Sequence, residues 1–357
     1  MNEELLGNGN EIFENGMRLG ITTGSCAAAA SYAAAKALLG EKNEVLRVKT
    51  EVGITLEFEI LNLNVNGDVA SAEVKKFAGD DPDVTDGVII GARVKKRTDD
   101  KILIDGGEGV GTITRKGLFG EVGEKAINPY PRKMITDLLK DLGGFDVTIY
   151  VLDGEEIAKK TYNENMGIVG GISIIGTTGI IHPMSEKALI DTIKLEINMV
   201  KNEYGKENIL LVPGNYGKSV KEKLKLEIPA VEMSNYIGES LKMCYNSGFR
   251  KITLLGHVGK FSKLALGIFN THSNVCDTRM EAFLVYLFKM NVKREDILEI
   301  IDSNTAEIAM NKAIDMGYLD VIKNMEQGAE EKIKKYLKDD NLDIKVIIYS
   351  MERGAII

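Results

Sequence analysis

Hydrophobic and polar positions alternate over much of the first half of the chain, between residues 44 and 153. Ile54–Ile60 alternates strictly, which predicts a strand with one buried and one solvated face. Asn66-Gly67-Asp68 is typical of a hairpin turn, and Pro131–Lys140 has the spacing of a helix with a proline in its first turn. Further strands are predicted at residues 69–74, 88–94, 101–104 and 147–151. The first half is therefore predicted to be an α+β domain.

Beyond about residue 165, short apolar runs alternate with segments of helical spacing. The runs, each predicted to be a strand, are Ile172–Ile175, Ile209–Val212, Lys251–Leu255 and Ile344–Tyr349. Helices are predicted at residues 185–200, 236–245 and within 302–337. This alternation predicts a Rossmann-like α/β domain with a mostly parallel sheet and helices on both faces. A polar stretch between Asp153 and Gly167 separates the two patterns, so the predicted domains are 1–160 and 161–357.

The N-terminal 40 residues contain one strong helix signal. An alanine-rich segment lies between Ser25, a residue type that caps helix starts, and Gly40, a residue type that often follows a helix end. Alanine is the best helix former, and its small side chain lets a helix pack closely against a sheet. The first 16 residues have no such pattern and are expected to form a mobile arm.

Composition narrows the classes of function. A net charge of −8 and the absence of tryptophan disfavour nucleic-acid binding through a basic surface or a base-stacking platform. The apolar runs are too short for a transmembrane helix, and the acidic N-terminus lacks the apolar core of a secretory signal. Three widely spaced cysteines and three histidines without metal-ligand spacing predict no disulfide framework, no protein-bound metal and a cytoplasmic location.

Three of the predicted strands in the second half are followed by loops that contain glycine. Ligands of open α/β sheets bind beyond the carboxyl ends of the strands, and glycine lets a backbone approach a ligand closely. The candidate residues of a nucleotide-like cofactor cleft are therefore Gly176, Thr177, Thr178, Gly179, Gly214, Asn215, Gly217 and Gly256. Turn geometry alone would also explain a single loop, and no GxGxxG motif follows these strands.

Two of the three histidines follow the third of these strands. His257 and His272 carry the side chain best suited to proton transfer near neutral pH, so both are candidate catalytic residues. Asn270, close to His272, could hydrogen-bond a polar ligand. A loop-ordering role for His272 is the alternative, because a single histidine is more often structural than catalytic.

Four aspartates crowd the segment from Asp80 to Asp86. A structural turn is the main interpretation, because aspartate side chains accept hydrogen bonds from nearby backbone amides. A substrate or acid–base role, with Asp81 as the candidate, is the second. A site for Mg²⁺ or Ca²⁺ is the third, although Pro82 interrupts the sequence and no glutamate closes a calcium loop.

Several segments, taken in order along the chain, resemble a single family. They are RLGITTGSCA from Arg18, AGDDPDVTDG from Ala78, DGGEGVGT from Asp105, AINPYPR from Ala126, GISIIGTTG from Gly171, VPGNYG from Val212, GHVGK from Gly256 and GIFNTHS from Gly267. This ordered set is similar to the cobalt-precorrin-5B C1-methyltransferases, the CbiD-type enzymes of oxygen-independent cobalamin synthesis. Asp86 and Ser25 depart from the family pattern, in which histidine and threonine are expected, and the last 80 residues add little.

The resemblance implies transfer of a methyl group from S-adenosylmethionine to ring carbon C1 of cobalt-precorrin-5B, with cobalt-precorrin-6A as product. The cobalt belongs to this tetrapyrrole, whose acetate and propionate groups call for cationic side chains. The substrate-binding residues implied are Arg18, Thr22, Thr23, Ser25, Arg132, Lys260 and Asn270. Further basic candidates are Arg93, Arg115 and Arg279.

Two other functions stay open at this point. A nicotinamide-dependent reductase of a tetrapyrrole intermediate would need a dinucleotide fingerprint with an acidic residue about 20 positions further on, and neither is clear. A non-catalytic tetrapyrrole-binding protein would explain the basic candidates but not the glycine loops. The sequence does not fix the oligomeric state, and a homo-oligomer stays open.

Overall fold

The two halves of the chain form separate units in the computed structural model, which describes residues 4–355. The units are Met1–Ser185 and Glu186–Ile357. The helices of the first unit are α1 Thr23–Leu38, α2 Pro129–Leu139 and α3 Gly154–Ala158. Its strands are β1 Leu5–Leu6, β2 Phe13–Glu14, β3 Met17–Arg18, β4 Gly20–Ile21, β5 Val45–Lys49, β6 Thr55–Glu59, β7 Asn64–Asn66, β8 Val69–Lys75, β9 Ile89–Lys96, β10 Ile102–Gly106, β11 Thr112–Ile113, β12 Phe145–Val151, β13 Ile168–Val169 and β14 Ile180–Ile181.

The strands of the first unit form sheets of mixed orientation. The largest has the order β10-β12-β9-β8-β7, in which β10 and β12 are parallel and the other pairs are antiparallel. A second sheet, β1-β6-β5, pairs β1 with β6 in parallel. The predicted hairpin at Asn66-Gly67-Asp68 is confirmed as the turn between β7 and β8, and the helix predicted from Pro131 is confirmed as α2. The first unit is therefore an α+β structure.

Helix α1 is the centre of the first unit. It packs against β8 and β9, and all of its alanines are buried. The small side chains let the helix lie close to the sheet, as predicted. Its cap differs from the prediction, because Thr22 rather than Ser25 caps the helix through a hydrogen bond from the Ser25 N–H to Thr22 Oγ1 at 3.2 Å. Gly40 follows the helix end with a φ of +90°, which confirms its predicted role.

The N-terminal segment is ordered over residues 4–16, so the prediction of a mobile arm is wrong there. Leu6 is fully buried, and β1 pairs with β6. This pairing also explains why β6 departs from the predicted alternation. Glu57, which should face solvent, accepts hydrogen bonds from Asn8 and Arg47 and is buried.

The unit boundary lies further along the chain than the predicted 160/161 boundary. The apolar run Ile172–Ile175 does not start a second sheet, because it forms isolated parallel bridges with Val110 and Ile127 of the first unit. Strands β13 and β14 likewise pair with β11 and β4. Residues 161–185 therefore complete the first unit.

The second unit is an α/β structure. Its strands are β15 Ile209–Val212, β16 Ala230–Glu232, β17 Lys251–His257, β18 Asp343–Ser350 and β19 Gly354–Ala355. Its helices are α4 Glu186–Tyr204, α5 Asn215–Lys223, α6 Ile237–Asn246, α7 Val258–Ala265, α8 Arg279–Lys289, α9 Arg294–Ile301, α10 Ala306–Asp315 and α11 Asp320–Leu337. The strands predicted at residues 209–212, 251–255 and 344–349 are confirmed, and so are the helices predicted at 185–200 and 236–245.

One sheet organises this unit, with the order β16-β15-β17-β18-β19. Neighbouring strands from β16 to β18 are parallel, and β19 turns back antiparallel on β18. Alternate residues of β15 enter different clusters: Leu211 packs in the cluster that contains α4, α6 and α7, and Leu210 packs with Val220 of α5. The sheet is therefore covered by helices on both faces.

Two glutamates of α11 accept hydrogen bonds from the free edge of β18. Glu330 accepts from the Val346 N–H at 3.0 Å, and Glu326 accepts from the Ile348 N–H at 2.7 Å. These bonds occupy backbone donors that an open edge would leave available to another strand. Burial, helped by the charge of Glu330, raises the pKa of Glu326 to about 7. The fold therefore favours the protonated form of Glu326.

Glu326 should make the stability of the second unit depend on pH. Because its pKa is raised on folding, its contribution is fully present below the ordinary glutamate pKa and is lost as pH rises through about 7. Glu326→Gln keeps the acceptor for Ile348, so it should be more stable than the wild type at pH 8 and equal to it at pH 4. Urea unfolding at both pH values measures this difference, with the exposed Glu331→Gln as control. An equal difference between Glu326→Gln and wild type at both pH values would contradict the assignment.

Candidate functional site

The order of strands in the second unit predicts a ligand crevice. From β15 the chain moves to β16 on one side, and then returns to place β17 on the other side. In open α/β sheets, such a reversal leaves a crevice at the carboxyl ends of the two strands, and ligands bind there. Gly214 follows β15 and His257 ends β17, so both lie at this end of the sheet. We call this place the β15–β17 crevice.

The glycines at the crevice differ in what surrounds them. Gly214 has extended backbone, and a β-carbon there would meet only Glu232 Oε1, at an ordinary contact distance of 3.5 Å. A β-carbon at Gly217 would lie 2.7 Å from the Val212 side chain, so Gly217 serves packing of α5 on the sheet. The backbone at Gly214 is thus open to a ligand. The side chain of the remaining candidate in this loop, Asn215, lies outside what the structure describes.

Gly256 lies inside β17 and not in a loop, so its assignment as a cofactor-loop glycine is corrected. A β-carbon there would overlap the ring of Phe261, one turn into α7. The glycine is needed because Phe261 packs directly on the strand. The sequence around Gly256 resembles a ligand-binding loop, but the ring of Phe261 occupies the space next to this glycine.

A cavity of about 580 Å³ opens at the carboxyl end of β17. We call it the basic cleft, because two lysines and one arginine outnumber the single glutamate among its lining residues. Its lining residues are Asn235, His257, Gly259, Lys260, Lys263, Thr271, His272, Ser273, Arg279, Thr305, Ala306 and Glu307. Four candidate residues from the sequence therefore line one cavity: His257, His272, Lys260 and Arg279. Asn270 is adjacent to this lining in the sequence.

The cations of the basic cleft differ in their availability to a ligand. Lys263 is buried and donates to the Thr271 carbonyl at 3.1 Å, and Arg279 binds Asp277 through two hydrogen bonds of 2.7 and 2.8 Å. Lys260 has no hydrogen-bond or ion-pair partner in the described part of the chain. Burial lowers the pKa of Lys260, with a smaller contribution from the charge of Lys263 and opposed by Glu232. Lys260 is therefore the cation best placed to bind an anion.

Both ring nitrogens of His257 are occupied. Nδ1 caps α7 by accepting a hydrogen bond from the Gly259 N–H at 3.1 Å. Nε2 lies 3.1 Å from Glu307 Oε2, and since Nδ1 is an acceptor, Nε2 carries the proton and donates it. Glu307 also accepts from the N–H groups of Met351 and Glu352. These contacts hold His257 in one tautomer and leave no free nitrogen to carry a proton.

Glu307 is kept ionised by its partners. Burial alone would raise its pKa, but hydrogen bonds from the Glu352 N–H, from His257 and from the Met351 N–H outweigh burial and lower it. An ionised carboxylate is the acceptor that the Nε2–H of His257 requires. The pair therefore places a fixed negative charge, next to a neutral imidazole, at the wall of the basic cleft.

His272 is exposed and orders its own loop. Its Nδ1 accepts from the Asn274 N–H at 3.2 Å, and its N–H donates to Asn270 Oδ1 at 3.1 Å. This geometry matches the loop-ordering alternative. His272 nevertheless lines the basic cleft.

The loop Gly176–Gly179 belongs to the first unit, which corrects its placement with the other two glycine loops. It packs on the start of α1. Ser25 donates to the Gly179 carbonyl at 2.8 Å, and a β-carbon at Gly176 would lie 2.7 Å from Thr22 Oγ1. Thr177 and Thr178 lie between these contacts, and Thr178 accepts a hydrogen bond from the Ile180 N–H. These glycines therefore allow the loop to pack against a helix.

The threonines and serine of this helix start are buried and bonded within the first unit. Thr23 Oγ1 accepts from the Ile175 N–H at 2.8 Å and lies within hydrogen-bond distance of the Ser173 carbonyl. Thr22 caps α1, and Ser25 is fully buried. All three side chains are used by the fold, which speaks against their assignment to substrate binding.

The arginine and aspartate candidates of the first unit are also committed to internal partners. Arg18 pairs with Asp80 at 2.7 Å and Glu11 at 3.0 Å, and Arg132 donates to the carbonyls of Ile104 and Ile127. Asp81 accepts from the Met184 N–H at 3.2 Å. The rest of the acidic loop fits a structural turn, because Asp83 pairs with the buried Lys76 and accepts from Thr85, and Asp86 accepts from the Ala78 N–H.

Two acidic residues of the site were missed by sequence reasoning. Glu307 lies about 50 residues from His257, and no motif connects them. Glu232 ends the short strand β16 beside Gly214, and its position about 18 residues after that glycine was the available signal. Glu307 lies on α10 and Glu232 on β16, so tertiary packing and not local sequence brings them to the site.

The described residues contain neither a candidate metal site nor a candidate transmembrane helix. Within residues 4–355, no group of three or more His, Cys, Asp or Glu side chains has the arrangement of a metal site. No helix in the same range combines the length and the apolar character needed to cross a membrane. Cys26 is buried, and burial raises the pKa of its thiol to about 12, so it is a packing residue.

Comparison with known proteins identifies a family. The CbiD family model matches residues 11–183, and the model "CbiD, C-terminal domain" matches residues 270–357. A crystal structure of a cobalamin biosynthesis protein (cbiD) from Archaeoglobus fulgidus is 30% identical, with a TM-score of 0.39 over 77% of this chain and 85% of that one.

Curated relatives cover almost the whole chain. A cobalt-precorrin-5B C(1)-methyltransferase from Alkaliphilus oremlandii is 54% identical over 95% of this chain and 96% of its own length. A protein of the same name from Treponema denticola is 53% identical, with the same coverage of both chains. Because such similarity extends over nearly the full length of each protein, the chain belongs to the CbiD family.

Proposed function

We propose that this protein is an S-adenosylmethionine-dependent C-methyltransferase that methylates C1 of cobalt-precorrin-5B and gives cobalt-precorrin-6A. The names of relatives with more than half of their residues identical support this activity. The observation in the structure that supports it most is the position of the β15–β17 crevice next to the basic cleft. A nucleoside cofactor and a polycarboxylate substrate could therefore be bound side by side in one unit. Three free cysteines suit a cytoplasmic location.

We place the cofactor in the β15–β17 crevice, where the second unit would act as a Rossmann-like cofactor domain. When bound, S-adenosylmethionine would supply a methyl group on a sulfonium, which is already activated, so the protein needs mainly to align the reactants. The open backbone at Gly214 fits the close approach of such a ligand, and the N-terminus of α5 follows directly. Gly217 and Gly256 shape the crevice by packing.

We place the substrate carboxylates at the basic cleft. Lys260 would bind one carboxylate directly, because it lacks a partner in the described part of the chain. Arg279 would need to share its guanidinium between Asp277 and the substrate. His257, which is held by Glu307, would fix the start of α7 at the wall of the cleft and would not transfer a proton. We assign no substrate contact to Arg18, Arg132 or Asp81, because their internal partners already use them.

Cofactor binding tests the proposal first. Gly214→Ala should keep the melting temperature of the wild type, because the added methyl group meets no close atom of the protein. It should weaken binding of S-adenosylhomocysteine by about tenfold or more, since overpacking costs about 1–3 kcal/mol. Isothermal titration calorimetry measures this, with Ser219→Ala on the exposed face of α5 as control. Wild-type protein that binds NADPH but not S-adenosylhomocysteine would contradict the methyltransferase assignment and favour a reductase.

Lys260 should control substrate affinity more than turnover. A hydrogen bond to a charged group contributes about 1.5–3 kcal/mol, so Lys260→Ala should raise KM for cobalt-precorrin-5B by about tenfold or more while kcat changes little. Burial lowers the pKa of Lys260, so its ammonium group loses its proton at a lower pH than that of an exposed lysine. The KM of the wild-type protein should therefore begin to rise at that lower pH. Lys251→Ala, at the opposite end of β17, is the matched control. Equal KM values for Lys260→Ala and wild type would remove Lys260 from the site.

Two substitutions of His257 separate positioning from proton transfer. Loss of the helix cap in His257→Ala should lower the free energy of unfolding by about 1 kcal/mol. Asparagine also caps helices well, so His257→Asn should recover most of that stability and keep the single-turnover rate within about tenfold of wild type. A fall of about 10²–10⁴-fold in the rate of both variants, with stability unchanged, would instead establish proton transfer.

A further inference from the structure

Glu232 places a carboxylate at the edge of the β15–β17 crevice. It is the last residue of β16 and pairs in register with Val212, the last residue of β15. Its Oε1 would lie 3.5 Å from a β-carbon at Gly214. The carboxylate therefore stands directly beside the backbone that we have assigned to cofactor approach.

The surroundings of Glu232 fix its position without covering it. Its backbone N–H donates to Glu196 of α4 at 3.4 Å, and its Oε2 lies 3.4 Å from Lys218 Nζ on α5. About a third of its side chain, 33%, stays exposed. A ligand in the crevice can therefore reach the carboxylate.

A carboxylate at this place can accept hydrogen bonds from a ligand. An ionised carboxylate only accepts hydrogen bonds, and its two oxygens can accept from two neighbouring hydroxyl groups. In open α/β sheets that bind nucleotides, an acidic residue about 20 positions beyond the glycine loop accepts a hydrogen bond from the ribose. Glu232 follows Gly214 by about 18 positions and ends the adjacent strand.

We propose that Glu232 binds the 2′,3′-diol of the ribose in the adenosine part of the cofactor. This inference rests on the proposed function, because it takes the β15–β17 crevice as the cofactor site. The salt bridge to Lys218 would hold the carboxylate in place beside Gly214. The same negative charge would repel a ribose that carries a 2′-phosphate, so Glu232 would select an unphosphorylated adenosine nucleoside.

Calorimetric titrations with intact ligands and deoxy analogues test this role. Wild-type protein should bind S-adenosylhomocysteine at least about tenfold more tightly than its 2′-deoxy analogue, because the analogue lacks a hydroxyl group that donates to the charged Glu232 carboxylate. Glu232→Gln should bind S-adenosylhomocysteine about 10- to 100-fold more weakly and should discriminate less against the analogue. Glu227→Gln, an exposed glutamate shortly before β16, should behave as wild type.

The outcomes separate this inference from the proposed function. If wild-type protein binds S-adenosylhomocysteine and its 2′-deoxy analogue equally well, the role of Glu232 is overturned while the cofactor assignment stands. That comparison needs no variant, so it holds even if Glu232→Gln fails to fold. Absence of any binding of S-adenosylhomocysteine would overturn both. If NAD⁺ binds more tightly than S-adenosylhomocysteine and this binding depends on Glu232, the ribose that Glu232 binds does not belong to the methyl donor, and the proposal is overturned.

Discussion

The pairing of β15 with β16 on one edge and with β17 on the other is the constraint on which the candidate site depends. Each strand in a parallel sheet delivers its following loop to the same end, so this order brings Gly214, Glu232 and His257 to one crevice. Backbone hydrogen bonds and full burial of β15 hold the order in place. The chemistry of the site then follows from the residues at these strand ends: an acceptor at the end of β16, an open backbone after β15, and a capping histidine at the end of β17.

Packing accounts for many of the motif residues that looked functional. In the first unit, Thr22, Thr23 and Ser25 fasten the buried start of α1 to residues 173–179, and the glycines of that loop make room for the contact. These residues are small and polar because they hydrogen-bond backbone groups at buried positions. A motif can thus be specific to a family and still be structural.

The sequence was most informative where local pattern decides structure. Alanine content and Gly40 predicted α1, and apolar runs predicted β15, β17 and β18, because burial on both faces of a sheet requires continuous apolar strands. The run Ile172–Ile175 misled the prediction of the boundary, since its pairing partners Val110 and Ile127 are distant in sequence. Gly256 was wrongly assigned to the cofactor cleft for a similar reason, because only packing reveals that Phe261 fills the space beside it.

The location of the cofactor connects the fold to the proposed activity. A crystal structure of the complete protein with S-adenosylhomocysteine tests it most directly. We predict that the ligand lies in the β15–β17 crevice, with its backbone contacts at Gly214 and its ribose hydroxyls within hydrogen-bond distance of Glu232. A ligand bound instead at Gly176–Gly179 of the first unit, with no atom near Gly214, would show that the cofactor does not bind in this crevice.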